Sequence, residues 1–256
     1  MLKYGSASNL YIDGKGTDAY SSAEDYEQAV RMVLDRLANT RSGSALLKEI
    51  GRSGTHLVRI VPLTKTVFNA YAEASSERGG TAKGSVWRRA TDGARYVDNS
   101  GNDFAGFGTG TSVKLSFNPT TFYYSCSQGQ GGNPGAKPDE ILFHEMVHAS
   151  REIRGIMDLL PLGFGYDTEE EFFAIVLASI YASETGRNQD IRLNHHGFGY
   201  GHGIDTDELI FPRKDPHLLT AKLFAKLFEK QPAFMAELAT VGSTYNPVRR
   251  YQRLFK

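Results

Sequence analysis

The sequence predicts an α+β fold: a small mixed sheet in the first half, a mainly helical second half, and a single domain over residues 1–256 whose two parts meet near residue 155. Three observations lead there. Segments that alternate with a period of two end by Phe117, segments with helical spacing dominate from Asp139 onward, and no repeat or low-complexity tract interrupts the chain. Strands first and helices later indicate segregated layers, not alternating βα units.

After a polar lead, Ser21-Ser22-Ala23-Glu24 reads as a capping box, in which a serine hydroxyl and a glutamate satisfy the helix's orphan N–H groups. Tyr26, Val30, Val33, Leu34 and Leu37 then recur at helical spacing and form one apolar stripe. A shorter helix is expected from Ser44 to Ile50, closed by Gly51. Residues 56–61 and 66–71 read as strands, the second with clear alternation. Residues 75–110 are rich in Gly, Ser, Arg and Asp and offer only a short strand at 94–97. The alternation of 112–117 stops at Asn118-Pro119, which predicts a half-exposed or edge strand, because proline cannot donate to a ladder. A Gly- and Pro-bearing loop over 128–138 leads into a helix whose proline and two acids suit a helix N-terminus. Helices are expected over 139–154, 168–184, 216–230, 233–241 and 247–255, with a glycine-rich loop at 194–204.

Composition narrows the function. Lys plus Arg is 29 and Asp plus Glu is 29, so no net positive field exists to drive nucleic-acid binding by counterion release. The 15 Phe and 13 Tyr exclude a disordered chain. The single cysteine, Cys126, excludes an intramolecular disulfide framework. The first eight residues lack an apolar core and a small-residue cleavage site, so no Sec-type signal peptide is expected. The longest near-apolar run, 172–182, is shorter than the ~20 residues of a spanning helix, so no membrane insertion is expected.

The chemistry centres on His144-Glu145-Met146-Val147-His148, which fits H-E-x-x-H. Residues four apart on a helix share a face with Cβ atoms ~5–6 Å apart, so both imidazoles can converge on one ion. Glu145 lies beside the first histidine and can take the proton of an attacking water without itself binding the metal. With 7 His in the chain, the pattern would arise by chance about 0.01 times. Catalytic zinc takes three protein ligands. A metzincin would continue with Gly and His at 151 and 154, but Arg151 and Arg154 stand there. Glu169-Glu170-Glu171 opens a helix that is apolar nearly all round, and a buried helix starting with three carboxylates needs a cation or water for the inward one. Thr168 and Glu171 also form a capping box, and helical geometry does not select among the three acids.

His144 to His148 followed by Glu171-Phe172-Phe173-Ala174 resembles the gluzincin-like metallopeptidases, including the anthrax lethal-factor type. Further pieces are similar to the zinc-metallopeptidase effectors of bacterial specialised secretion systems: 42–47, 113–119, Phe143 and Ala149 around the motif, Arg151, Gly155, Tyr166-Asp167 and 196–198. The resemblance covers roughly residues 40 to 200. It implies a zincin-like fold, Zn2+ held by His144, His148 and Glu171, with Glu170 as the fallback third ligand, and a protein or peptide substrate. It also implies export by a specialised secretion system without a cleavable signal, a secretion chaperone as a further partner, and action as a monomer in a target cell's cytoplasm. Ile175 stands where thermolysin-type enzymes carry an Asp that supports a ligand histidine, so the group that orients His144 is not given by the pattern.

A hydrolase of this kind also needs a donor for the oxyanion. Tyr166 and His196 lead the candidates, with His195, Tyr200 and His202 behind them. The sequence thus supports a zinc endopeptidase in which strand 113–117 lies along the cleft and pairs with an extended substrate. The alternative is a non-catalytic zincin-fold binding module with a structural metal. Glu145 speaks against it, since a structural site has no use for an acid beside its ligand.

Overall fold

The computed structural model describes residues 1–5, 7–16, 22–52, 54, 56–63, 70–74, 110, 112–119, 137–158, 160–162, 166–188, 191–192, 215 and 217–256. Within them the chain is α+β. The strands are β1 (Leu2–Lys3), β2 (Leu10–Ile12), β3 (Val58–Pro62), β4 (Ala70–Ala74) and β5 (Val113–Phe117). The helices are α1 (Ala23–Ala38), α2 (Arg41–Arg52), α3 (Pro138–Glu152), α4 (Glu169–Glu184), α5 (Leu219–Lys230), α6 (Pro232–Ala239) and α7 (Pro247–Phe255). The expected strand at 94–97, residues 66–69, Cys126 and the loop 194–204 lie outside the described residues.

The five strands form one mixed sheet in the order β1-β2-β3-β5-β4. β2, β3 and β5 run parallel, and β1 and β4 pair antiparallel at the two ends. Helices α1 and α2 make the crossover between the parallel strands β2 and β3, burying Tyr26, Val30, Leu34, Leu46 and Ile50 in the same core as Ile60 and Leu115. The Tyr26 hydroxyl donates to the Phe117 carbonyl at 2.8 Å, tying α1 to β5.

This topology corrects the expectation for residues 112–117. β5 is an interior strand: Ile60 pairs with Leu115 on one side and Ala72 with Leu115 on the other. Its ladder is therefore already occupied on both sides, and it cannot accept a substrate strand. The alternation misleads because Ser116, although polar, is buried in the sheet. Among the described residues the end strand beside it is β4, which packs against α3.

Other departures have local causes. α2 begins at Arg41, ahead of the expected Ser44, because its first N–H groups are capped from far away in sequence. Glu184, at the end of α4, accepts from the Arg41 and Ser42 amides at 2.7 and 2.9 Å. α2 also runs through Gly51 to Arg52, whose guanidinium is held by Glu49 and Glu237. The α1 cap is Ser22, accepting from the Asp25 amide, one residue later than the expected box. β1 and β2 carry no sequence signal; two and three residues are too short to show a period. α7 spans the expected residues, with Asn246 as its N-cap accepting from the Arg249 amide at 2.9 Å.

α3 and α4 pack antiparallel. Phe143 of α3 stacks on Tyr181 near the close of α4, while Arg151 near the close of α3 lies over Phe173 near the start of α4. The start of α4 is thereby set against the second half of α3. Among the described residues no helix is long and apolar enough to cross a membrane.

Candidate metal centre

His144 and His148 lie one turn apart on α3, and Glu171 lies in the first turn of α4. Where the two helices meet, their ligand atoms converge. The Nε2 atoms of His144 and His148 are 3.1 Å apart. Glu171 places Oε2 3.3 Å from His144 Nε2 and Oε1 3.4 Å from His148 Nε2. Among the described residues these three side chains form the group able to hold a metal ion. A tetrahedral zinc with bonds of ~2.0–2.1 Å sets its ligand atoms ~3.3–3.4 Å apart. The observed separations match that spacing, and two nitrogens plus a carboxylate are a donor set zinc accepts. The residues fit the ion.

The approach to α4 explains how Glu171 arrives. Gly155, with φ of 64°, turns the chain sharply after α3. Pro161 and Thr168 then form an antiparallel bridge, and Asp167, at φ 57°, adopts the left-handed region that Asp tolerates better than most residues. Thr168 caps α4 by accepting from the Glu171 amide at 3.2 Å. The reciprocal half of the capping box does not form: the Thr168 amide donates to the Tyr166 carbonyl, and the Glu171 carboxylate turns to the imidazoles.

The three acids of this turn have three different environments. Glu169 meets Lys226 of α5 beside Asp158, and burial together with the Asp158 charge pushes its carboxyl up to about 7. Glu170, fully buried, accepts from the Arg151 Nε at 2.9 and 2.8 Å and faces His148 Nδ1 at 3.4 Å. Burial favours its neutral form, but the Arg151 guanidinium outweighs this and holds the carboxyl below its usual range. Glu171 is likewise driven well down by the two imidazoles despite its burial. Only Glu171 joins both histidines.

The two imidazoles differ. Burial pushes His144 down to about 4, and its Nδ1 is buried with no hydrogen-bond partner among the described residues. Burial also acts against a charge on His148, yet the carboxylates of Glu171 and Glu170 raise it well above the ordinary imidazole value. Glu145, between them on α3, is half-buried.

Tyr166 stands at the mouth of α4, its ring edge-on to Phe172 with centroids 5.0 Å apart. Burial raises its hydroxyl to about 12, so it stays protonated and able to donate at neutral pH. His196, with His195, Tyr200 and His202, lies outside the described residues. Sequence reasoning misses Arg192, whose positive charge acts on both His144 and Tyr166. Its only signal is a position just ahead of the glycine-rich loop.

The Peptidase_M91 profile, described as an effector protein family, matches residues 15–170, more than half of the chain. The chain belongs to the Peptidase_M91 effector family. The matched stretch contains β3, β4, β5 and the whole of α3 with its H-E-x-x-H motif, and it ends in the first turn of α4. Membership places the chain among peptidase effectors, with a protein as its class of substrate. Among curated proteins none matches.

Proposed function

We propose that this Peptidase_M91 member is a zinc-dependent endopeptidase. The observation that carries the reading is the meeting of His144, His148 and Glu171 at mutual distances of 3.1–3.4 Å, with Glu145 on the same helix turn as the first two. His144, His148 and Glu171 would hold the ion. When bound, zinc would polarise the scissile carbonyl and lower the pKa of the attacking water. Glu145 takes that water's proton and returns it to the leaving amine. Tyr166, kept protonated by its burial, supplies a hydrogen bond to the oxyanion, with His196 as the second candidate donor. With β5 enclosed, we assign the substrate strand to β4, which among the described residues is the end strand and packs against α3.

Membership of an effector family supports delivery by a specialised secretion system and action on a protein in the cytoplasm of a target cell. The test has two arms. Purified chain should carry one zinc, and Glu145→Gln should retain it while turnover falls by ~10²–10⁴. New protein N-termini should then appear in target cells expressing the wild type and be missing with Glu145→Gln. Cleavage undiminished in the Gln variant would remove Glu145 from its role.

A further inference from the structure

The side of His148 away from the candidate metal is occupied. Its Nδ1 faces Glu170 Oε1 at 3.4 Å, while Nε2 of the same ring faces His144 and Glu171. An ionised carboxylate only accepts, so the Nδ1 that faces Glu170 carries a proton, and Nε2 is the nitrogen turned toward a metal. Glu170 is itself held by donors that leave it little freedom: Arg151 Nε reaches both oxygens, and the Asp158 amide reaches Oε2 at 3.1 Å.

Arg151 is fixed in turn. Its Nη1 donates to Gln231 Oε1 at 3.0 Å, its Nη2 to the Ile156 carbonyl at 2.8 Å, and its guanidinium lies 4.6 Å over the Phe173 ring. Gln231, at the junction of α5 and α6, donates onward to Glu49 of α2 at 3.2 Å, and Glu49 also receives Arg154 and Arg52. Glu170, Arg151, Gln231 and Glu49 are all almost wholly buried. The network thus runs from one imidazole through the interior to three other helices, with a partner at every link.

We propose that Glu170 and Arg151 form a positioning pair that holds the Nδ1 proton and the ring orientation of His148, through which the packing of α2, α5 and α6 is transmitted to the metal centre. The assignment rests on the metal-centre reading given above, but its geometry concerns the protein alone. A buried ion pair with a purely structural role would have no need to contact the histidine. It also separates Glu170 from the ligand set, since its carboxylate sits behind the ring and is already engaged.

The direct test is the nitrogen NMR signature of His148 in the full wild-type chain, without metal and with added zinc. A proton on Nδ1, hydrogen-bonded to a carboxylate, is expected in both. A metal-free ring with no proton on Nδ1 would overturn the proposal, and this readout stands even if the chain bound no zinc, which would sink the metal reading alone. The second test is the double variant Glu170→Leu/Arg151→Met, which removes the pair without leaving a buried charge unpaired. Its metal-free melting temperature should stay near wild type while zinc affinity, measured against a chelator, falls ~10–100-fold, as on loss of a ligand-supporting group. Glu170→Gln keeps an acceptor for Nδ1–H and should recover part of that affinity. Wild-type zinc affinity with an unchanged His148 signature in the double variant would reduce the pair to structure alone.

Discussion

α3 and α4 both open on acids, and the two openings look alike in sequence: Pro138-Asp139-Glu140 in one, Glu169-Glu170-Glu171 in the other. Their environments make them different. At the start of α3, Arg187 clamps both acids, reaching Asp139 at 2.7 Å and Glu140 at 2.9 Å, and the Tyr181 hydroxyl donates to Asp139 at 2.6 Å. At the start of α4, Glu171 meets two imidazoles and Glu170 a guanidinium and an imidazole. The same helix pairing produces both results. The residues that close α4 supply a cation and a phenol to the start of α3, whereas the close of α3 presents His148 and Arg151 to the start of α4. An acidic helix start is structural by default, since carboxylates there complement the dipole. It becomes a candidate ligand site when a neighbouring helix presents imidazoles to it.

The sharpest way to break this comparison is to remove one acid from each helix. Glu171→Ala should abolish stoichiometric zinc at micromolar chelator, whereas Asp139→Asn should retain it. Metal analysis of the two purified variants decides the matter, and zinc kept by Glu171→Ala would erase the contrast. Stability should respond the other way to Arg187→Met, which removes the Arg187 guanidinium from Asp139 and Glu140. A loss of about 3 kcal/mol is expected, the low end for a broken buried pair because the Arg187 side chain keeps 18% exposure. Urea unfolding measures it, and zinc content should not change.

Acid should sharpen the difference further. Burial acts to raise the Asp139 carboxyl, but Arg187 and Tyr181 outweigh it and hold it below its ordinary value of 3.8. A depressed carboxylate contributes stability that is fully present above 3.8 and is lost as pH falls through its lower folded value. Metal-free wild type should therefore lose stability over that acidic window, and Asp139→Asn should show a shallower decline. Equal slopes in the two unfolding series would mean that Asp139 is not the group titrating.

The smallest effects concern capping. α4 has Thr168, whereas α3 has Lys137 in extended backbone at φ −85° and ψ 141° with no side-chain cap. Thr168→Ala should cost about 1 kcal/mol, and Lys137→Ser should add roughly 0.5–1 kcal/mol by giving α3 the cap it lacks. Thermal melts of both variants against wild type test whether the two helix starts differ in this respect as well.

Much of the centre is legible before any coordinates. The four-residue spacing of His144 and His148 is a local property of a helix, and Thr168 followed by three acids marks a helix start wherever it occurs. α1 is legible because its apolar residues recur at helical spacing, whereas α3 and α4 are legible by their starts, a proline with two acids in one and a capping threonine in the other. The place of β5 is not legible, because an alternating pattern reports two unlike faces, while a position at the edge or interior of a sheet depends on strands elsewhere in the chain. Nor is the start of α2, because its cap, Glu184, is supplied by α4.

The sequence by itself therefore determined the metal-type motif, the acidic turn and the division into a sheet-bearing and a helical half, all of which follow from short-range periodicity and composition. Tertiary structure alone decided the work of each acid. Glu169, Glu170 and Glu171 are consecutive, and on a helix consecutive side chains point ~100° apart, so each necessarily meets a different neighbour. Which neighbour it meets depends on how α4 is rotated against α3 and α5, and that rotation is set by the burial of Phe172, Phe173 and Val176 in the common core. The packing of apolar side chains, not the order of the acids, directs Glu169 to Lys226, Glu170 to Arg151 and His148, and Glu171 to the paired histidines.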